Sequence, residues 1–360
     1  SQFAEIEKLL SSGPYPSRQP GENMADLSAQ VASLRCGAEA MSGLLDEYGE
    51  DEITHHLQAL NEAASSSCRK FIKSLGNEEI VAEQFLDDGD RLSLKVSIFD
   101  EQATFDFCGT SPVRRDNLNA NEAIVHSVLA YCIRLLIGSD LPLNEGLLEP
   151  LRIIIPRNCL LAPDFSQVPE LCPGVAGGNV EISQRLTDLV LHAFGKVACS
   201  QGTMNNLTFG NDHFSHYETV GGGSGACVGQ NGTSAVQVHM TNTAITDPEV
   251  LEARFPVRLL RFVRRSGSGG VGTWSGGDGI EREYLFESAV SLSLLSQRRR
   301  EGPDGLAGGK AGQPGEQILI RKDGRRESVL GSQSLTIEAG DRFLLRTPGG
   351  GGVGKPELLA

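Results

Sequence analysis

The chain has 360 residues, of which 39% are hydrophobic, enough for one large domain or two ordinary ones with a buried core. It carries 32 Lys and Arg against 46 Asp and Glu, a net charge of −14 at pH 7. That charge repels nucleic acid and anionic membranes, and no apolar run approaches the roughly 20 residues of a membrane-spanning helix. We therefore expect a cytoplasmic globular protein that binds neither nucleic acid nor membrane.

The eight cysteines are scattered singly, without a CxxC pair or zinc-ribbon spacing, which indicates reduced thiols. The N-terminal residues lack the basic and apolar regions of a signal peptide. The first residue is Ser1 rather than methionine, which suggests a piece of a longer product.

The N-terminal part is predicted to be helical. Apolar residues from Met24 to Leu45 fall at helical spacing, and a second stripe runs from Ile53 to Leu75. Gly49 lies between the two stripes and can end the first helix. The pattern predicts a helical hairpin.

A mixed α/β segment follows. Apolar and polar residues alternate within 78–107, which predicts an antiparallel β unit. An apolar helix should then end at Gly138, and Leu151–Ile155 reads as a short buried strand. A second helix is expected between Asn179, as its N-cap, and Gly195.

From Cys199 onward the chain reads as β structure with glycine turns, and strands are predicted near Val257, Leu292, Ile318 and Phe343. The fold class is therefore α+β, with a helix-rich part at 1–198 and a β-rich, glycine-rich part at 199–360. The glycine run from Thr347 to Pro356 predicts a loop with positive φ angles or close approach of backbone to backbone.

The segment from Gln201 to Gly279 is rich in carboxamides, hydroxyls and glycines, and such polar groups need partners when they are buried. The segment is therefore predicted to be either a loop or a functional site. The glycine loops around Gly269 and Gly351 match GxGxxG, but neither opens a helix after a strand, and Lys310 lacks the spacing of a nucleotide-binding P-loop. No GxSxG serine elbow or cysteine–histidine pair is evident.

Histidine and carboxylate positions leave alternatives open. His239 lies in an apolar alternation and is either a core histidine with its partners or a group that orients a small amide, with Asn205, Asn206 and Asn242 as neutral donors. His213, His216 and Glu218 have zinc-ligand chemistry, but a solvated turn is favoured.

For Arg254 and Asp278 the sequence allows a structural role as well as a functional one. Arg254 sits near Glu249 and Glu252 at helical spacing, which favours a surface ion pair, after a helix start at Asp247-Pro248. Asp278, between glycines, is most simply a turn residue.

Four segments are ordered as in a known family. They are Met204-Asn205-Asn206, Tyr217-Glu218-Thr219, His239 to Thr243, and Gly276 to Gly279. In this order they resemble the B-type half of the hydantoinase/5-oxoprolinase family, and LPLNEG, GGNVEISQR and MNNLTFGN are similar to its ATP-dependent 5-oxoprolinase branch. The resemblance extends over essentially the whole chain.

The resemblance implies a component of a hydrolase that opens a cyclic amide, foremost 5-oxo-L-proline to L-glutamate, with ATP hydrolysis. It implies a partner A-type half with an actin-like ATPase fold, fused or separate, and a homo- or hetero-oligomer. ATP and a divalent metal would bind largely outside this chain, which itself would hold no metal. The candidate catalytic residues are His239, Asn205, Asn206, Asn242 and Glu218. The candidate substrate-binding residues are Tyr217, Thr241, Arg254 and Asp278.

Three positions depart from the family pattern. Gln237 stands where a histidine is usual, and Ala244 and Ser275 stand where arginines are usual. Two possible carboxylate or phosphate clamps are thereby absent. A hydantoinase subunit, a diverged non-catalytic scaffold subunit and a carboxylase of the acetone-carboxylase type stay as alternatives.

Overall fold

The computed structural model describes residues 2–12, 16–17, 20–166 and 171–356. Contacts divide the chain into a first unit, 1–63, and a second unit, 64–360. Within the described residues no helix is long and apolar enough to cross a membrane. The predicted division at residue 198 concerns the α-rich and β-rich parts and stays a prediction.

The first unit is helical. It contains α1 (Gln2–Ser11), α2 (Pro20–Tyr48) and the beginning of α3 (Glu50–Leu75). The two long predicted helices are present, and Gly49, with φ 85°, is the single residue between them. No residue of α2 is buried, so its apolar stripe stays accessible along the helix, with Leu34 74% exposed.

The second unit opens with a four-stranded sheet. Its strands are β1 (Glu79–Phe85), β2 (Arg91–Phe99), β3 (Gln102–Asp106) and β4 (Leu151–Ile154). The first three pair antiparallel, as the alternation predicts, and β4 adds parallel to β3. Alternate residues of β2, such as Leu94 and Val96, are fully buried in the core.

Two helices cover this sheet's core. Helix α4 (Glu122–Ile137) is capped by Asn121 and ends at Gly138, whose φ is 68°, as predicted. A 3-10 turn (Glu145–Leu147) precedes β4. Further on, a π-helical turn (Gly178–Ile182) leads directly into α5 (Ser183–Ala193). The end of α3, the sheet, α4 and α5 share one hydrophobic core.

The predicted N-cap at Asn179 is wrong, because the turn begins at Gly178 and Gly177 occupies the cap position. The reason is close packing: a Cβ added at Gly178 would lie 2.7 Å from the Ala120 Cα atom. Gly177 and Gly178 have no side chains, so the start of the helical turn can pack against the backbone that precedes α4. The turn therefore begins before Asn179, which lies inside it and cannot serve as its N-cap.

The β-rich part contains two antiparallel sheets. Their strands are β5 (Asn206–Gly210), β6 (Ser215–Glu218), β7 (Val257–Arg265), β8 (Gly279–Phe286), β9 (Val290–Leu295), β10 (Glu316–Ile320), β11 (Arg326–Ser328), β12 (Ser332–Ile337) and β13 (Arg342–Arg346). One sheet has the strand order β11-β10-β13-β8-β7 and the other β12-β9-β5-β6. Side chains of both sheets, including Phe209, Phe286 and Phe343, form a second core. The predicted strands at 257, 292, 318 and 343 and the α+β fold class are confirmed.

A short helix, α6 (Pro248–Arg254), precedes β7. Its N-cap is Asp247, whose carboxylate accepts the Glu249 and Val250 amides, and Pro248 starts the helix, as predicted.

The glycine-rich segments pack against one another through their backbones. Amides of Gly350, Gly277 and Gly270 donate to the carbonyls of Gly277, Ser224 and Gly350. A Cβ added at Gly350 would overlap the Ser224 carbonyl group. The tail therefore confirms close backbone approach as the reason for its glycines.

Candidate functional site

The helix that crosses from the π-helical turn into α5 carries a buried polar face. It consists of Glu181, Gln184, Arg185 and Asp188, spaced i, i+3, i+4 and i+7, so the four side chains share one side of the helix. All four residues are at most 2% exposed. We call this set the polar helix face. A π-helical turn inside a helix is frequent at functional sites.

The polar helix face is incompletely hydrogen-bonded. Among the described residues, no partner is found for five of its buried atoms, which are Glu181 Oε2, Gln184 Oε1, Arg185 Nε, Arg185 Nη1 and Asp188 Oδ2. Buried polar atoms in folded proteins are nearly always satisfied, so such a concentration on one face marks a candidate site for a polar ligand or for ordered water.

One end of the polar helix face reaches the predicted Asn206 and Tyr217. Asn206 Nδ2 donates to Glu181 Oε1 at 3.0 Å, and the Tyr217 hydroxyl donates to Asn206 Oδ1 at 2.6 Å. Glu181 Oε1 also accepts the Met204 amide. These bonds fix the Asn206 carboxamide between a buried carboxyl and a hydroxyl that is half exposed.

Asn206 and Tyr217 line an open cavity of about 540 Å³. Its other lining residues are neutral: Asn117, Ala176, Val180, Thr208, Ser293, Leu294, Leu295, Ser332, Gln333 and Ser334. Small-molecule pockets typically measure about 300–1,000 Å³. We call this cavity the amide pocket, because its walls offer neutral donors and acceptors and no charge.

Glu181 behind the amide pocket is held in its neutral form. Burial raises its pKa to about 8, against hydrogen bonds from Thr203 and Met204 and the charge of Arg299 that favour the carboxylate. At neutral pH a protonated Glu181 can donate a hydrogen bond as well as accept one. The pocket is thus backed by a proton donor rather than by a negative charge.

His239 lies at the other end of the polar helix face. Its Nε2 is 2.9 Å from Ser200 Oγ and its Nδ1 is 3.2 Å from the Tyr131 hydroxyl. Asp188 Oδ1 accepts the Ser200 amide at 2.8 Å and is 3.8 Å from His239 Nε2. Both ring nitrogens therefore have protein partners, and the histidine touches the polar helix face through Ser200 and Asp188.

Burial sets the protonation of both groups. It lowers the pKa of His239 to about 4 and raises the pKa of Asp188 to about 8. The histidine is neutral at physiological pH, and hydrogen bonding or proton acceptance is the chemistry open to it. The geometry of His239 is compatible with both predicted roles: a core histidine hydrogen-bonded to its protein partners, and a group that orients a ligand.

The backbone is strained where the site is assembled. Asn205, His239 and Arg298 have φ angles of 50°, 51° and 61°, the left-handed region that non-glycine residues seldom adopt. Asn205 Oδ1 accepts Arg299 Nη2 at 2.7 Å, and its Nδ2 donates to Gln201 and to the Val220 carbonyl. Asn205 thus holds the turn that presents Asn206, and its own amide is fully occupied.

Glu218 lies apart from these groups, inside the core of the two antiparallel sheets. Its Oε1 accepts the Tyr284 hydroxyl at 2.6 Å, and its Oε2 is 3.2 Å from Arg282 Nη1. Burial pushes the pKa of Glu218 upward, but the neighbouring His216, whose Nε2 is 3.6 Å from Oε2, the Arg282 charge and the Tyr284 hydroxyl outweigh it, so the pKa is lowered. Along β6, Tyr217 faces the amide pocket and Glu218 faces the core.

The remaining predicted residues are dispersed. Thr241 Oγ1 accepts Gln184 Nε2 at 2.8 Å and so contacts the polar helix face, whereas Asn242 is exposed. Arg254 is exposed at the end of α6, and Glu252 is bound to the Leu259 amide instead. Asp278 accepts the Gly269 amide at 2.9 Å within a turn of the glycine-rich segments.

Two of the departing positions also have local contacts. Gln237 donates to the Thr219 carbonyl and hydroxyl at 3.2 and 3.0 Å, and the Ser275 amide donates to Asn231 at 2.8 Å. Ala244 and Ser275 are exposed, so the absence of an arginine side chain at either position leaves no cavity in the core.

The described part of the chain shows neither a cluster of metal ligands nor a glycine loop with free amides for phosphate. No group of three or more His, Cys, Asp or Glu side chains there could hold a metal ion. The glycine loops also do not fit phosphate groups, because the amides of Gly269, Gly270 and Gly351 are bound to Asp278, Gly350 and Cys199.

The fold and the site together define a class. This is an α+β protein in which a buried, partly unsatisfied polar helix face adjoins a neutral pocket of a size typical of small-molecule sites. The model of the hydantoinase B/oxoprolinase family matches residues 2–356. The chain belongs to that family.

Relatives and solved structures agree with this assignment. The chain is 43% identical to 5-oxoprolinase 1 of Arabidopsis thaliana over 97% of its length, and 42% identical to the 5-oxoprolinase of Saccharomyces cerevisiae over 95%. It covers only 29% and 28% of those proteins. The crystal structure of the ATP-dependent caprolactamase from Pseudomonas jessenii has the same fold, with a TM-score of 0.85 at 22% identity, over 98% of this chain and 64% of that one.

Proposed function

We propose that the chain is the B-type component of an ATP-dependent cyclic-amide hydrolase whose whole protein converts 5-oxo-L-proline to L-glutamate. The observation that carries the proposal is the amide pocket, where Asn206 and Tyr217 face a neutral cavity and Glu181 stands behind them. A lactam presents one N–H donor, which the Tyr217 hydroxyl oxygen can accept while its own hydrogen is donated to Asn206, and one carbonyl acceptor, which the serine and threonine hydroxyls that line the cavity can match.

Similarity supports the choice of substrate. Relatives named 5-oxoprolinase share 39–43% identity with nearly the whole chain, although the chain spans less than a third of their length. The A-type component, ATP and a divalent metal are therefore part of the proposal for the whole protein, fused or assembled. ATP supplies the energy that an unstrained lactam needs before water can open it.

Within this proposal the residues of the chain bind, orient and exchange protons. Asn206 orients the Tyr217 hydroxyl, whose oxygen accepts the lactam N–H. Glu181, whose pKa burial raises to about 8, fixes the Asn206 carboxamide without placing a negative charge behind the pocket. His239, through Ser200 and Asp188, positions the opposite end of the polar helix face.

The test is glutamate release from 5-oxo-L-proline by the full-length gene product, with and without ATP and a divalent metal. ATP-dependent release supports the proposal. Hydantoin, presented in parallel under the same conditions, separates the alternatives, since turnover of hydantoin alone would replace 5-oxoproline by a hydantoinase reaction. A folded full-length protein inactive on both would contradict the proposed function.

A further inference from the structure

A second, smaller pocket is lined by Arg185 of the polar helix face. Its volume is about 260 Å³, below the size typical of organic ligands and suited to a small ion. Its lining residues are Phe85, Leu86, Asp87, Gly89, Arg185, Arg298, Arg300 and Glu301. They come from the turn between β1 and β2, from α5 and from the segment after β9. We call it the arginine pocket.

Two of its guanidinium groups are buried and have unused donors. Arg185 is 2% exposed and donates through Nη2 to the Phe85 carbonyl, while its Nε and Nη1 have no partner among the described residues. Arg298 is 3% exposed, and the same holds for its Nε. Its Nη1 donates to the Gly302 carbonyl at 3.1 Å and its Nη2 to Gln84 Oε1 at 2.8 Å.

The carboxylates nearby do not saturate these donors. Asp87 accepts the backbone amide of Arg299 at 2.9 Å and that of Arg300 at 3.5 Å, so its oxygens serve the backbone. Asp188 Oδ2 is 3.9 Å from Arg298 Nη2, beyond hydrogen-bond distance, and burial raises the pKa of Asp188 to about 8. Asp304 Oδ2 is 3.5 Å from Arg298 Nη1 and exposed. Three arginines and two carboxylates, Asp87 and Glu301, line the pocket, so positive charge predominates in its lining.

The backbone pre-shapes this arrangement. Arg298 has a φ of 61°, and Gly202 has a φ of 63°. A Cβ added at Gly202 would lie 2.7 Å from Asp188 Oδ2 and 3.2 Å from Arg298 Nε. The backbone strain at Arg298 and the burial of its charge both cost free energy of folding, and Gly202 leaves the space that its guanidinium occupies. Binding of a ligand by the guanidinium would offset this cost.

From these contacts we propose that the arginine pocket binds a small oxyanion, a carboxylate or a phosphate, through Arg185 and Arg298, with Arg300 at its mouth. Guanidinium groups offer paired donors that match the oxygens of either group. The arginine pocket is separate from the amide pocket, since the two pockets share no lining residue.

The experiment is isothermal titration calorimetry of the purified chain at low ionic strength, with inorganic phosphate and acetate as separate probes. The two probes distinguish a phosphate from a carboxylate ligand. Saturable binding of either probe is expected. Absence of saturable binding of both to the folded wild-type chain would overturn the proposal.

Arg300 and Glu301 are exposed, so replacing either one leaves the buried hydrogen bonds of Arg185 and Arg298 intact. The two replacements should change the affinity for the anion in opposite directions. Arg300→Gln removes a positive charge at the mouth and should weaken binding about two- to fivefold, whereas Glu301→Gln removes a negative charge and should strengthen it by a similar factor. Arg326→Gln, an exposed arginine on β11 outside the pocket, is the matched control and should leave affinity unchanged.

The buried arginine is tested by Arg298→Lys, which keeps the charge and loses the forked donor geometry. We expect at least about a tenfold loss of affinity, provided far-UV circular dichroism shows a wild-type fold. If Arg300→Gln, Glu301→Gln and Arg298→Lys all bind like wild type, the anion binds elsewhere and the assignment of the arginine pocket is wrong.

Discussion

Replacing Glu218 by alanine is predicted to destabilise the protein rather than to remove a catalytic group. Glu218 is 4% exposed, and its two oxygens serve the Tyr284 hydroxyl at 2.6 Å and Arg282 Nη1 at 3.2 Å. Arg282 is fully buried, lies 5.0 Å from the centre of the Phe262 ring and has an unpartnered Nε among the described residues. Without Glu218 its charge is uncompensated.

The magnitude follows from the burial of the pair. Removing one partner of a buried ion pair costs about 3–5 kcal/mol in the free energy of unfolding, because the other charge stays desolvated. Urea denaturation followed by far-UV circular dichroism measures this free energy. Replacing both partners, as Glu218→Leu with Arg282→Met, removes the stranded charge and should recover part of the lost stability, while the buried Tyr284 hydroxyl stays without its acceptor.

The control is Glu101→Ala, which breaks the 2.7 Å pair with Lys73 on the surface. Both side chains of that pair are exposed, so the effect should be far smaller than that of Glu218→Ala. The reasoning is refuted if Glu218→Ala unfolds at the wild-type urea concentration while the full-length enzyme carrying it loses turnover. Glu218 would then act on the substrate.

Two further predictions concern protonation and close packing. The pKa of Glu181 is raised from 4.5 to about 8, so between these pH values the folded protein holds a proton that the unfolded chain has lost. The free energy of unfolding should therefore fall as the pH rises through this range. In urea titrations at pH 5 to 9, Glu181→Gln should make this decline less steep. An unchanged slope would mean that Glu181 is ionised in the fold. Gly350→Ala brings a Cβ within 2.7 Å of the Gly225 nitrogen and should destabilise by about 1–3 kcal/mol or more, whereas the control Gly43→Ala, in an open helical position, should stabilise by up to about 1 kcal/mol. Equal melting temperatures for both alanine variants would contradict the close packing.

The fold was largely predictable from local pattern. The alternation from Leu92 to Ile98 identified a half-buried strand, and Gly138 identified a helix end, because each signal depends on neighbouring residues only. The packing of the glycine-rich segments was not predictable in detail, since it depends on which distant backbones meet, such as Gly350 with Ser224.

The site was predicted in part. Asn206, Tyr217 and His239 were identified by their polar segments, and the structure connects the first two through a hydrogen bond. Glu181 and Asp188 were missed, because polar residues along one side of a helix normally indicate a solvent-exposed face. The signal that was present is their spacing within VEISQRLTDLVL together with apolar residues on the other side, but only the fold shows that both sides are buried.

The same limit applies to the arginine pocket. Arg185 and Arg298 are 113 residues apart in sequence, and their shared pocket depends on the turn between β1 and β2. No local periodicity relates these three segments. Their charge could be read from the sequence, whereas their convergence could not.

The most direct measurement of the central claim is the kcat/KM of the full-length protein for 5-oxo-L-proline with Tyr217→Phe. Tyr217 is 53% exposed, so the variant should keep the fold, and Tyr48→Phe on α2 is the matched control. We predict at least about a tenfold loss for Tyr217→Phe, since the hydroxyl both touches the amide pocket and orients Asn206, and no loss for Tyr48→Phe. Wild-type kcat/KM in both variants would contradict the placement of the substrate in the amide pocket.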